Sequence, residues 1–138
     1  MLTRGKLAQR TGCNIETVRY HEKVGLLPEP ARSDAGYRMY TEEHEKRLRF
    51  ILRAKELGFT GVSIRNLLMI SDAGDDYTRA EVKALTEAHI EEVSEKIRDL
   101  QKLKKQLNQI SAHCDGSAKS AKSCPIMTNL FGEVEIKH

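Results

Sequence analysis

Apolar residues recur along the chain at helical spacing, interrupted by short clusters of Gly, Pro, Asn, Ser and Asp. Residues 4–11 read as a short helix with Leu7 and Ala8 inward. Thr11-Gly12-Cys13-Asn14 breaks the pattern, with Gly12 available for a left-handed turn. Asn14 is placed to cap a second helix, with Thr17 three residues on. Ile15, Val18 and Val24 form that helix's apolar stripe, and Gly25 ends it. Two short helices around a glycine-containing turn are the helix-turn-helix pattern. Leu26-Leu27-Pro28-Glu29-Pro30 cannot continue as helix. Ser33-Asp34-Ala35-Gly36 then has turn chemistry and Tyr37-Arg38-Met39-Tyr40 is strand-like, so residues 32–40 predict a small hairpin, a wing.

Thr41 predicts the cap of the next helix, with His44 where a capping box usually has Glu. Leu48, Ile51, Leu52 and Leu57 carry the helical period to Gly58, and Thr60 starts a shorter helix with Val62, Ile64, Leu67 and Leu68. Residues 71–76 are polar and mark the expected boundary. From about Thr78 to Ala112 there is neither Pro nor Gly. Val82, Leu85, His89, Val93, Ile97, Leu100, Leu103, Leu107 and Ile110 follow one another at 3-4-4-4-3-3-4-3, the 3.5-residue period of a coiled coil. Such a helix is on the order of 50 Å long at 1.5 Å per residue. Its seam is expected to pair, antiparallel or parallel, with the same helix of a second subunit. Packing on the chain's own N-terminal part would not reach residues 100–110. The tail is different again: residues 113–124 are small and polar and contain two cysteines, and Pro125 opens a short apolar helix.

Composition sharpens this outline. At 138 residues, with 5% aromatics and no Trp, the chain has little material for a large independent core, which again favours a partner chain. The net charge of +3 is uneven: residues 1–65 hold 13 Lys/Arg and 8 Asp/Glu, and residues 66–138 hold 10 and 12. A basic front half suits a nucleic-acid partner. Residues 1–6 lack an apolar stretch and no run approaches 18 apolar residues. Neither secretion nor a membrane partner is therefore expected, and the expected location is the cytoplasm. Three cysteines, an odd number, point to thiols, metal ligands or redox switches rather than a disulfide framework.

The second helix presents Thr17, Arg19, Tyr20 and Lys23, and the wing adds Arg32, Tyr37 and Arg38. Arg reads guanine edges or clamps phosphate, and Tyr hydroxyls reach phosphate. Singly, each residue fits a solvated surface; on two adjacent elements they point to DNA. Glu16-Thr17-Val18-Arg19-Tyr20-His21-Glu22-Lys23-Val24-Gly25-Leu26-Leu27 resembles the recognition-helix signature of the MerR family of bacterial regulators. Gly36-Tyr37-Arg38-Met39-Tyr40 is similar to that family's wing, and Ala54-Lys55-Glu56-Leu57-Gly58-Phe59-Thr60 to its later helix pair. The likeness extends through the long helix and the terminal Cys-loop-Cys-Pro-Ile. His21 stands where the family usually has Tyr and is expected to hydrogen-bond a phosphate.

The resemblance implies a mainly α fold: a winged helix-turn-helix over 1–71, a linker and long antiparallel coiled-coil dimerisation helix over 72–112, and an effector loop and terminal helix over 113–138. It implies a homodimer on a near-palindromic promoter, distorting the DNA when its effector binds so that RNA polymerase can start.

Cys114 and Cys124 flank a short loop with Gly116, so both sulfurs can approach one point, and thiolates favour soft ions. The loop resembles that of the copper-efflux and zinc-export regulators, which makes the two cysteines paired metal ligands. In that resemblance divalent-ion sensors have a third Cys near the start of the long helix and copper-type sensors a Ser; here Arg79 occupies the position. A monovalent ion such as Cu(I) on two sulfurs is the leading expectation. Lys83 matches a Lys that offsets thiolate charge in the copper-type sensors. Arg79 opposes a cation but favours thiolates, which keeps open a redox or electrophile sensor forming a Cys114–Cys124 disulfide. His113 and Asp115 are candidate further ligands for a divalent ion such as Zn(II). Cys13 reads as a small core residue, His89 as a packed seam residue, His44 and His138 as surface or terminal residues, and Lys102, Lys104 and Lys105 as a solvated face. No Cys-x-x-Cys in a strand-helix context, phosphate-cradling loop or nucleophile-base pair supports an enzyme.

Overall fold

The computed structural model describes residues 2–132; His138 lies outside them. The elements are α1 (Arg4–Thr11), α2 (Ile15–Lys23), β1 (Ala31–Arg32), β2 (Arg38–Met39), α3 (Glu42–Glu56), α4 (Gly61–Asp72), α5 (Arg79–Ala112) and α6 (Pro125–Leu130). Short 3₁₀ turns occupy Gly74–Asp76 and Ala121–Ser123.

The helix starts are set by local hydrogen bonds. Thr3 Oγ1 accepts from Lys6 N at 3.2 Å, Asn14 Oδ1 from Thr17 N at 2.8 Å, Thr60 Oγ1 from Ser63 N at 3.2 Å and Thr78 Oγ1 from Glu81 N at 3.2 Å. At α3 the capping-box role falls to an imidazole: His44 Nδ1 accepts from the backbone N–H of Thr41 at 3.1 Å. α1 ends at Gly12 with φ of +76°, whose N–H donates to Gln9 O.

The chain divides into two compact units, residues 1–81 and the part from Val82 onward. The first unit holds the hydrophobic core. Leu7 and Ala8 of α1 and Val18 of α2 meet Leu48, Ile51 and Ala54 of α3, Ile64 and Leu68 of α4, and Leu26, Leu27 and Tyr40 from the connections. β1 and β2 pair antiparallel, Ala31 with Met39 and Arg32 with Arg38, and Leu2 bridges to Tyr40. The expected stripe is not buried throughout. Ile15 is 42% exposed because it opens α2 at the rim, against Gly5, and Leu57 and Val62 lie on the open side of the α3–α4 corner.

In the second unit α5 runs unbroken to Ala112 and has no buried residue along its whole length. Its stripe of Val82, Leu85, Val93, Ile97, Leu100, Leu103 and Leu107 is solvent-exposed in the single chain. His89 is the more sheltered member, with Nδ1 3.7 Å from Glu92. Beyond α5, a loop leads to α6, which begins at Pro125. Among the described residues no helix is long and apolar enough to cross a membrane.

At Gly12 nothing lies within 4 Å of where a Cβ would stand, so a side chain there meets only backbone strain. Gly12→Ala is expected to cost about 1 kcal/mol of unfolding free energy in a denaturant titration, and Gly12→Asn less, because Asn visits the left-handed region more readily.

Candidate nucleic-acid interface and effector site

Helix α2 is aimed by its cap and by its exit. Asn14 Oδ1 accepts from both the backbone N–H and the hydroxyl of Thr17, at 2.8 and 2.9 Å. The Thr17 side chain is therefore already engaged at its donor. At the other end, Arg65 Nη2 of α4 donates to Val24 O at 2.7 Å and Arg47 Nε of α3 to Leu26 O at 3.0 Å. Arg47 Nη1 also meets both carboxylate oxygens of Asp72, at 3.1 and 3.3 Å. Two guanidinium groups from α3 and α4 thus hold the turn that ends α2.

Arg19, Tyr20 and Lys23 are exposed on α2. Arg19 pairs with Glu16 at 2.7 Å across one turn, an open ion pair of small worth that a phosphate or base edge can displace. On the wing, Tyr37 is exposed at the tip, and Arg32 Nη1 donates to Gly36 O at 3.0 Å, bracing the turn. Arg38 is half-buried, and its Nε is shielded from solvent with no hydrogen-bond partner. An open concavity between α2 and the wing is lined by Arg4, Arg19, Glu22, Lys23, Glu29 and Arg38. Four cations against two carboxylates make it suitable for a phosphate backbone.

His21 departs from expectation. Its ring is 3% exposed, packed edge-on to Tyr20 with centroids 5.2 Å apart, and is not presented to a phosphate. At position 21 the helix turns its inner face to the core, three residues after buried Val18, so the ring is inside for the same reason the valine is. Nδ1 has no partner. The residues that reasoning from the sequence missed are Arg4, Glu22 and Tyr40, which bond to one another beside this concavity. Their separations of 18 and 36 residues leave no local signal.

The cysteines are brought together. The Cys114 and Cys124 sulfurs lie 3.3 Å apart, with the Cys124 thiol donating to Cys114. Both are half-buried. The Cys124 thiol is held below the ordinary thiol range, first by the Cys114 sulfur and then by the backbone N–H of Ile126 and, more weakly, Met127 at the start of α6. His113 and Asp115 line the same cavity. Asp115 spends Oδ1 on the Ser117 N–H at 2.9 Å, which lowers its pKa. Among the described residues no group of three or more His, Cys, Asp or Glu is placed to hold a metal ion. His113 and Asp115 therefore do not complete a three-ligand set with the sulfurs. Lys83 pairs loosely with Glu87 at 3.9 Å. It precedes Ala112 by 29 residues of continuous helix, about 44 Å at 1.5 Å per residue, so Lys83 cannot reach the cysteine loop of its own chain. Arg79 is exposed in the first turn of α5.

Two family models match. "MerR HTH family regulatory protein" covers residues 2–69, and "MerR, DNA binding" covers residues 45–110. The chain is 40% identical over 127 residues to the mercuric resistance operon regulatory protein of Bacillus cereus, covering 92% of this chain and 95% of that one. It is 35% identical over 126 residues to the HTH-type transcriptional regulator ZntR of Escherichia coli (strain K12), covering 91% and 89%. Among solved structures, the transcription regulator PbrR691 from Ralstonia metallidurans CH34 in complex with lead(II) matches with a TM-score of 0.79 and 38% identity, covering 94% of this chain and 99% of that one.

Burial, with nearby Lys55 adding to it, holds the His21 pKa below its ordinary 6.5. The unfolded chain takes up this proton near pH 6.5, and the folded chain only at lower pH. Stability is therefore insensitive to His21 above about pH 7 and falls as pH drops through about 6.5 toward the depressed value. His21→Phe is expected to flatten that slope, read as unfolding midpoints in urea between about pH 7.5 and 5.

Proposed function

Since the chain belongs to the MerR family of transcription regulators, we propose that it is a homodimeric, metal-responsive regulator that binds promoter DNA and activates transcription when a thiophilic ion occupies Cys114 and Cys124. Its relatives are regulators and not enzymes. DNA is gripped by α2 and the wing, with Arg19, Tyr20, Lys23, Arg32, Tyr37 and Arg38 as the contacting side chains. Two such units on a dimer suit a near-palindromic operator. The exposed stripe of α5 supports pairing of that helix, antiparallel, with its counterpart in a second chain. In that arrangement Lys83 and Arg79 act on the partner's loop rather than their own. Effector binding then biases which DNA shape the dimer prefers, so that RNA polymerase engages a distorted promoter.

The observation that carries the effector assignment is the sulfur pair at 3.3 Å, with no third ligand group beside it among the described residues. With metal–sulfur bonds of about 2.3 Å, two sulfurs on one ion stand at most about 4.6 Å apart, so this pair is already within bridging range. Two soft donors favour a monovalent ion such as Cu(I) or Ag(I). A second reading, a divalent ion, draws on the relatives, whose names or titles refer to mercury and lead(II).

Titration with Cu(I), Ag(I), Zn(II), Cd(II), Hg(II), Pb(II) and a peroxide, read as thiol accessibility and promoter activation, separates these readings. The expected result is activation by the monovalent ions, and activation by divalent ions alone decides for the second reading. Cys114→Ser and Cys124→Ser are each expected to abolish induction and to leave DNA affinity within about threefold of the parent. A fully responsive Cys124→Ser protein would defeat the two-sulfur site. Response to peroxide alone, with loss of both free thiols, would replace the metal by a disulfide switch.

A further inference from the structure

The side chains assigned to DNA sit on two separate elements, and one sheltered polar network joins them. Arg4 opens α1, Glu22 lies in the last turn of α2 and Tyr40 follows β2. Arg4 Nε donates to Tyr40 Oη at 3.0 Å, Arg4 Nη2 donates to Glu22 Oε2 at 3.2 Å, and Tyr40 Oη donates to Glu22 Oε1. Tyr40 is fully buried, and the Arg4 and Glu22 side chains are only 15% and 12% exposed. The Tyr40 backbone is fixed as well, exchanging two 2.8 Å hydrogen bonds with Leu2. Burial pushes the Tyr40 hydroxyl pKa up and the Glu22 bond adds to this, so the hydroxyl keeps its proton and remains a donor.

The placement of this network is specific. Arg19 and Lys23 flank Glu22 on the recognition helix, while Tyr37 and Arg38 precede Tyr40 on the wing. Arg4 and Glu22 also line the cationic concavity between the two elements. Stability alone is a weak account of such a network, because a buried ion pair is often replaceable by apolar side chains without loss. What charge-assisted hydrogen bonds add is direction: each fixes one distance and one angle.

We propose that Arg4, Glu22 and Tyr40 are positioning residues for operator recognition. They lock the wing to the recognition helix, so that Tyr37 and Arg38 meet the DNA backbone in register with Arg19 and Lys23. This rests on the DNA-binding reading above. Tyr40, being fully buried, acts without touching DNA.

The test uses the full chain and a near-palindromic duplex selected by the wild-type protein from a random-sequence pool. Tyr40→Phe keeps the ring and loses the hydroxyl, and Glu22→Gln keeps the shape and loses the charge. Binding is measured at a temperature where circular dichroism shows every variant folded. Each variant is expected to bind about tenfold more weakly, the order of one charge-assisted hydrogen bond. Backbone protection on the wing side should fade while protection over the recognition helix persists. The slope of log affinity against log salt should shrink by about one for each phosphate that the wing no longer neutralises.

Glu22→Gln gives opposite signs for the two accounts. Removing a carboxylate from a cationic concavity tightens DNA binding if only charge matters, and weakens it if the lock matters. Binding by Glu22→Gln at least as tight as wild type overturns the lock, as does an unchanged Tyr40→Phe footprint. A wild-type protein that selects no duplex overturns the DNA-binding reading, and the lock with it.

Discussion

Tyr40 is the residue on which the N-terminal unit turns. Its ring lies in the core among aliphatic side chains, its backbone closes the wing onto the first residues of the chain, and its hydroxyl reaches the recognition helix. A phenol does these three things at once because one end is apolar and the other is a hydrogen-bond donor. Phe would hold the core and release the helix, and a short polar residue would do the reverse. The first two helices and the hairpin, none longer than nine residues, are marginal as isolated elements. Their arrangement comes from what they share.

The second constraint is where apolar surface is spent. Among the described residues, every fully buried apolar side chain belongs to the span from Leu7 to Leu68. From Val82 onward the stripe of α5 has the period of a packed helix and no buried residue in the single chain. Apolar surface is therefore spent unevenly: a small unit satisfies its own core, and a long helix leaves its stripe exposed. The cysteine loop follows the end of that helix, where local turns bring the two sulfurs together.

What was legible in the sequence follows the range of the interactions. The caps at Asn14, Thr41 and Thr60 depend on atoms three residues apart, and all three helix starts fall where those residues stand. The hairpin and the Cys114–Cys124 approach are also short-range, closed within about ten residues by glycine-bearing turns. The division of the two sides of α2 was legible only in part. Arg19 and Lys23 face out as their charge requires, but the imidazole at position 21 is ambiguous by type, and only its burial in the folded unit decides the matter. The Arg4–Glu22–Tyr40 network and the guanidinium brackets of Arg47 and Arg65 on the recognition-helix exit were not legible. They join residues 18 to 41 positions apart, and nothing in spacing or composition marks them.

The uninterrupted course of α5 has a mechanical side. Its 34 residues contain no proline or glycine to hinge it. A continuous ladder of hydrogen bonds makes it behave as a lever. A helix on the order of 50 Å long that tilts by about one degree at one end sweeps about 0.9 Å at the other. A change of about 1 Å in the separation of the two sulfurs, from 3.3 Å toward the roughly 4.6 Å that two metal–sulfur bonds can span, is thus commensurate with motions that such an arm amplifies and does not absorb. Stiffness, more than any individual bond, sets how small a chemical event at the loop can be and still register as a displacement of atomic size at the far end.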